Sequence, residues 1–359
     1  MTLPDLWFGI VAVLWTGFFV LEGFDFGVGA LHRLVGRNED ERRVAINTIG
    51  PFWDGNEVWL VVGGAGIFAA FPDWYATWFS ASYLAIVLLL MALIMRGVSF
   101  EFRGKVDVPR WRHTWSGTLT IGSLLAPLVI GIALGDLLAG LPVDRNQEYT
   151  GSFLDLFTPF GLWTALTLVL LCLLHGATFL ALRTTAGLRA RALRLGRVAG
   201  VLALAALVVF VVWTTRLADV DPLALTALVA APVLVVASLA MLGRRDGLTF
   251  AATALAMTAS VGSLFAALYP NVLVSSTSAA FNLTVQNTAS GDYALQVMTV
   301  TAAIFMPLVL LYQGWAYVVF RRRLSPPAEQ PPTRTHGAGE PASPSGEPPP
   351  ASPPVVRPG

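Results

Sequence analysis

Apolar positions in this chain do not alternate with polar ones; they gather in long unbroken runs. Nine such runs can be marked, over roughly 7–31, 53–71, 76–99, 115–138, 158–182, 198–217, 222–243, 248–268 and 298–320. Each comes close to or exceeds the ~20 residues that a helix needs to cross a ~30 Å hydrocarbon layer. Strands of a membrane barrel would alternate over about 10 residues instead. The pattern predicts an all-α, polytopic membrane protein with nine transmembrane helices. The second run is the shortest and most polar. Runs one to four and five to eight suggest two four-helix bundles plus one added helix, although the halves share no convincing identity.

Charge sets the orientation. Of the 23 Lys and Arg residues, all but Arg145 and Arg216 fall in alternate gaps between the runs. Basic residues mark cytoplasmic connections, which puts the N-terminus outside and the C-terminus in the cytoplasm. Charged residues make up only 13% of the chain and mean hydropathy is +0.66, against about 25% charged residues in a soluble domain. The net charge of +1 therefore hides a strong asymmetry between the two faces. The balance indicates a lipid bilayer and no nucleic acid as the surroundings.

The N-terminus does not read as a cleaved signal, because Asp5 precedes the first run and no basic segment leads it. The single cysteine, Cys172, excludes an internal disulfide or a Cys-based metal cluster and reads as a packing residue. Residues 1–324 form one membrane domain. Residues 325–359 carry about half of the 23 prolines and read as a disordered cytoplasmic tail. Asn38 to Glu41 opens a short surface helix inside the 32–52 loop. The Ser-, Thr- and Asn-rich segment 269–297 reads as a solvated outer loop or as a cover for a neighbouring subunit. Trp7, Trp74, Trp78, Trp111 and Trp315 fit interfacial belts.

Candidate chemistry concentrates in the first two runs. Glu22 and Asp25 are spaced i,i+3, as are Asp54 and Glu57, so each pair shares a helix face. Antiparallel packing brings both pairs to similar depth near the cytoplasmic side. Carboxylates inside a span are expensive and usually functional. Four together cannot all ionise cheaply, which is the chemistry of a proton-relay entrance. The structural alternative pairs them with Arg33, Arg96 or Arg103. Gly23 and Gly27 on run one, with Gly63, Gly64 and Gly66 on run two, point to a tight pair holding the acids in place.

Haem ligation within the bilayer needs His or Met ligands. Only His175 of the four histidines lies within a run; His113 reads as a loop residue and His336 as a tail residue. One histidine cannot ligate several haems, so His175 reads as a hydrogen-bonded core residue and no metal site is expected on this chain alone.

Three segments carry a resemblance. They are Glu22-Gly23-Phe24-Asp25-Phe26-Gly27, then Gly50-Pro51-Phe52-Trp53-Asp54-Gly55-Asn56-Glu57-Val58-Trp59, and Arg96-Gly97-Val98-Ser99-Phe100-Glu101-Phe102-Arg103. With Gly176-Ala177-Thr178, Tyr269-Pro270 and Ser275-Ser276-Thr277, they resemble subunit II of bacterial cytochrome bd quinol oxidase over nearly all of residues 7–320. The Trp-Asp-Gly-Asn-x-Val-Trp run is the most specific part. The resemblance implies a multi-pass protein of the bacterial cell (inner) membrane that pairs with subunit I. That partner would hold two haems b, haem d and the quinol site, and the complex would reduce oxygen to water. It also implies a proton path at Asp54 with Asp25 nearby, and an oxygen path beside Trp59. Trp53, Gly55, Asn56, Gly23, Gly27 and Arg96 are then motif and packing positions. Glu57 stands where relatives often carry Gln, which adds an acid beside Glu22 and the aspartates. The resemblance leaves open a bound quinone and a small single-helix accessory subunit.

Two other readings stand beside this one. A proton-coupled secondary transporter would also use buried carboxylates and glycine-rich helices. A purely structural subunit would lack any proton role.

Overall fold

The computed structural model describes residues 2–326. Of the proposed tail, only Ser325 and Pro326 fall among them; the rest of that segment, with His336, lies outside the described residues. Eleven helices carry almost the whole described chain. They are α1 (Leu3–Val35), α2 (Glu39–Asn47), α3 (Trp53–Ala70), α4 (Pro72–Ala81), α5 (Tyr83–Phe102), α6 (Pro109–Ala139), α7 (Pro159–Arg183), α8 (Ala186–Leu217), α9 (Pro222–Met241), α10 (Asp246–Leu268) and α11 (Asp292–Val319). Eight of them are long and apolar enough to cross a membrane. Among the expected spans, α3 falls outside that set: it is 18 residues long, and Asp54, Asn56 and Glu57 occupy its first turns.

Local chemistry sets the boundaries. Thr2 caps α1 in a reciprocal box with Asp5, so the acid before the first apolar run has a structural task. Proline opens α4, α6, α7 and α9, where its missing N–H costs nothing. The third expected span, 76–99, is not continuous. It divides at Ser82 into α4 and α5, and α4 begins earlier, at Pro72. His113 lies in the first turns of α6 rather than in a loop.

α1 is the axis of the fold, packed against α3, α6, α7 and α10. Helices α7, α8, α9 and α10 close into a ring, as the second expected bundle. The first group is looser. α5 packs on α6, whereas α3 and α5 meet through side chains, with the Trp53 ring stacked on Phe100 at 4.7 Å. The two groups are fused through α1, α6 and α7 rather than set side by side. α11 stands apart, with Leu295 its only fully buried residue.

The glycine face of α1 meets a different partner from the expected one. A Cβ on Gly176 of α7 would lie 2.5 Å from the Gly27 backbone, so α1 and α7 cross with their main chains in contact. Gly23 also turns this way, towards Cys172 of α7 and Met257 of α10. On α3, Gly63 receives the Trp15 ring and Gly66 faces Leu14. The tight pair is α1–α7, and α3 packs on α1 by large side chains.

The two ends of the helices differ. At one end the chain between helices folds into a plate. Strand β1 (Asn271–Leu273) pairs antiparallel with β2 (Leu283–Thr284). Leu141 N–H donates to Val274 O at 3.0 Å, Val274 N–H to Leu137 O at 3.0 Å, and Ser290 N–H to Ala70 O at 2.9 Å. Val272, Leu273, Leu283 and Val285 are buried. The segment expected as a solvated loop or a cover for a neighbour caps the chain's own helices. Trp7, Trp74 and Trp78 are buried beneath it, with Trp74 and Trp78 stacked, so they form an aromatic core and not a lipid-facing belt. Trp315 is exposed, as a belt residue would be.

The opposite end is rich in arginine. Asn38 caps α2, accepting from Glu41 N–H at 2.9 Å. Ion pairs join the helices here: Glu39–Arg103 at 2.5 Å, Glu41–Arg191 at 2.7 Å, and Asp246 to both Arg189 and Arg323 at 2.8 Å.

Candidate functional site

Near the arginine-rich end, one face of α1 turns Glu22 and Asp25 towards α3 and α5. Both carboxyls are completely buried. Arg96 of α5, also buried, reaches between helices. Its NH1 lies 2.6 Å from Glu22 Oε1 and 2.9 Å from Glu57 Oε2. The guanidinium rests over the rings of Phe26 and Phe100, with centroids at 4.9 and 5.3 Å. Of the three arginines that sequence offered as partners for the acids, Arg96 takes the role. Arg103 binds Glu39, and Arg33 NH2 contacts His113 at 3.2 Å.

Asn56 completes the set. Its Nδ2 donates to Asp25 Oδ2 at 2.7 Å and to Leu21 O at 3.0 Å. Its Oδ1 accepts from Gln313 Nε2 at 2.7 Å and from Tyr317 OH at 3.0 Å. A carboxamide has two donors and two acceptor lone pairs, so Asn56 is fully used. This gives the Asn of the Trp-Asp-Gly-Asn run a physical reason.

The acids are less fully satisfied. One guanidinium serves both Glu22 and Glu57, and Asp25 has only the Asn56 amide. Glu22 Oε2, Asp25 Oδ1, and Arg96 Nε and NH2 have no hydrogen-bond partner among the described residues. Glu22 and Asp25 lie one helical turn apart on α1, so a protonated member of the pair could serve the other as a donor. Two ionised carboxylates have no donor to share, so a proton on either one would supply the donor that the orphaned oxygens lack.

The structure brings together Glu22, Asp25, Glu57, Arg96 and Asn56. Asp54 is not among them. It is exposed on α3, at the end of a stripe that continues through Val58 and Val61, both exposed. The expectation that all four acids share one buried zone is corrected for Asp54: residues three apart on α3 diverge enough that Glu57 turns to Arg96 while Asp54 turns outward. Glu57 keeps 24% of its side-chain surface and is the point where the buried set opens. Gly55 is exposed, and a Cβ there would approach only Gln313. Trp59 is buried against Gly17 and lines an apolar groove of about 590 Å³ between α1, α3 and α11.

Gln313 and Tyr317 were not singled out in sequence. Their signal was an amide and a phenol four residues apart in the last apolar run, facing one side of a helix.

On the other side of α1, His175 Nε2 lies 3.1 Å from Val20 O and Nδ1 lies 2.7 Å from Thr253 Oγ1. The ring stacks on Phe250 at 4.6 Å. Both ring nitrogens are engaged by protein, so His175 offers no lone pair to a haem. The described residues therefore do not fit haem ligation at His175. They also hold no cluster of three His, Cys, Asp or Glu side chains able to bind a metal ion.

The family described as cytochrome bd terminal oxidase subunit II matches residues 3–320. A Bacillus subtilis protein named cytochrome bd ubiquinol oxidase subunit 2 is 44% identical over 332 residues, covering 90% of this chain and 97% of its own. The Escherichia coli K12 protein named cytochrome bd-I ubiquinol oxidase subunit 2 is 35% identical over 352 residues, covering 87% and 92%. A solved chain of bd oxidase from Geobacillus thermodenitrificans aligns with a TM-score of 0.72 at 19% identity. It covers 89% of this chain and 98% of that one, a likeness of fold.

Proposed function

The chain belongs to the cytochrome bd terminal oxidase subunit II family, and from that premise we propose that its buried acids move protons for a partner subunit. It is a multi-pass subunit of a quinol:oxygen oxidoreductase in the bacterial cell membrane. The transporter alternative gains no support from these matches.

In our reading α3 is the ninth span and the arginine-rich end faces the cytoplasm, where basic side chains are retained. The partner is a haem-bearing subunit I in a heterodimer, and it holds two haems b, haem d and the quinol site. The exposed face of α3 supports this arrangement. A carboxylate at the end of a lipid-exposed stripe costs a few kcal/mol on insertion scales, about 2.5–3.5. A protein neighbour over Asp54 and Val58 removes that cost and gives the proton a destination.

The observation that carries the proposal is the buried set in which Glu22 and Glu57 share one guanidinium beside Asp25, opened to the outside at Glu57. Such a set can hold and pass on a proton without exposing a bare charge to hydrocarbon. Glu57 admits the proton; Glu22 and Asp25 hold it; Asp54, one turn before Glu57, links the chain to its partner. The apolar groove beside Trp59 gives oxygen a dry route past α3.

The test is Asp54→Asn in the intact complex. Oxygen uptake with quinol should fall by roughly tenfold or more, the range for loss of a proton-transfer group, while haem absorbance is retained. Normal turnover would remove Asp54 from the path. Loss of the haems would assign it to assembly.

A further inference from the structure

α11 is an apolar helix that barely packs, yet it ends in two polar side chains aimed at one atom. Gln313 Nε2 and Tyr317 OH both donate to Asn56 Oδ1, at 2.7 and 3.0 Å. The Tyr317 ring is stacked on Phe52 at 4.5 Å and 5° and meets Phe24 edge-on, so its hydroxyl is held in place. We infer that Gln313 and Tyr317 are positioning residues for proton transfer at Asp25, acting through Asn56. The inference rests on the proton role proposed above.

The direction of the amide is fixed from both sides. Leu21 O is a backbone carbonyl and can only accept, so the Asn56 amide nitrogen must face α1. Its oxygen then faces α11, where two donors wait. With the amide set this way, Asp25 Oδ2 always receives an N–H. A neutral Asp25 then carries its proton on Oδ1, the oxygen without a hydrogen-bond partner among the described residues. The donors on α11 therefore help to hold the amide that leaves Oδ1 as the oxygen of Asp25 free to exchange a proton. Removing both leaves Asn56 Oδ1 buried without a partner, a loss that weakens the grip on Asp25.

The titratable groups around Asp25 are Glu22 on its own helix, Glu57 from α3, Arg96 from α5 and Tyr317 from α11. α7 contributes Cys172 and His175 on the far side of α1, of which Cys172 lies near Glu22. Among the described residues, α6 and α10 present no titratable side chain to it.

The experiment compares Gln313→Met, Tyr317→Phe and the double variant in the intact oxidase complex. Each single variant keeps one donor on Asn56 and should retain turnover within about twofold, whereas the double variant should lose about tenfold, the scale of one orphaned buried acceptor. Its turnover-against-pH profile should move, with haem absorbance unchanged. A merely structural loss would lower the amount of complex and leave that profile in place. Infrared difference spectra supply a second readout. The carboxyl C=O band that vanishes in Asp25→Asn should shift in Tyr317→Phe, and further in the double variant.

An unshifted band with a wild-type pH profile in the double variant overturns the inference. If the double variant fails to assemble, the Tyr317→Phe band decides alone: a shift supports the inference and no shift overturns it. Asp25→Asn separates the two levels. Full turnover in Asp25→Asn would remove the proton role and this inference with it. An inactive Asp25→Asn beside an unaltered double variant would remove only the positioning role.

Discussion

Two buried polar sites lie on opposite sides of α1, and they are built on opposite terms. On the α7–α10 side, His175, Thr178 and Thr253 form a neutral network in which both imidazole nitrogens have partners. Val20 O can only accept, so His175 Nε2 carries the proton and the tautomer is set. On the α3–α5 side, Glu22 and Glu57 share one guanidinium beside the buried Asp25, and several polar atoms are left over. A satisfied polar group in a membrane helix holds helices together. One left short of donors is a place where a proton can be held.

The contrast makes testable demands. The largest effect belongs to Arg96. Arg96→Leu leaves Glu22 and Glu57 uncompensated, and stripping one partner from a buried ion pair costs about 3–5 kcal/mol. Little assembled complex should be recovered, measured by haem absorbance per unit of membrane protein. Adding Glu22→Gln should restore part of the yield; if it does not, the charge imbalance is not what the arginine answers.

Next comes the crossing that supports the neutral side. Gly176→Ala forces a methyl into the Gly27 backbone and should cost about 1–3 kcal/mol, the usual range for overpacking. It should lower the melting temperature of the complex while turnover below that temperature is kept. A selective loss of turnover would tie the α1–α7 contact to the acids.

His175→Gln sharpens the comparison further. It keeps one donor and one acceptor, so a cost of about 1 kcal/mol and turnover within about twofold are expected. A loss as large as that of Asp25→Asn would break the distinction between the two sides.

The smallest effect is a pH dependence at the surface. Partial burial alone would raise the Glu41 carboxyl. The Arg37 backbone N–H and the Arg191 guanidinium outweigh it and hold the carboxyl below its ordinary 4.5. A carboxyl lowered by folding stabilises the fold above its unfolded value, and that contribution is lost as pH falls through the folded value. Thermal stability should therefore decline as pH drops below about 4.5, and Glu41→Gln should flatten that slope. Stability of Glu41→Gln should match the parent at the acid end.

Sequence made the helices and the acids legible, because long apolar runs and isolated charges within them are both costly exceptions that stand out. It also named Arg96 among the partners of Glu22 and Glu57. It could not place Asp54 outward, since i,i+3 spacing says which residues share a broad face but not where that face ends. Gln313 and Tyr317 were out of reach for another reason. Their partner Asn56 lies 257 and 261 positions away, and no local period links them. The glycine contact was assigned to α3 rather than α7 because a small-residue stripe states that a helix approaches, not which one. The break at Ser82 lies inside an apolar, aromatic stretch with no glycine or proline at the joint, so nothing local marked it.

The plate that links the helix ends has a mechanical consequence. At that end α3 and α6 are tied by main-chain hydrogen bonds to the strand segment and its flanks, whereas at the arginine-rich end side-chain ion pairs do much of the joining, beside one main-chain bond from Leu324 N–H to Arg183 O. Backbone bonds are short and have no rotamers to exchange; a guanidinium can swing on its stem and re-pair. The helices are thus splinted at one end and sprung at the other.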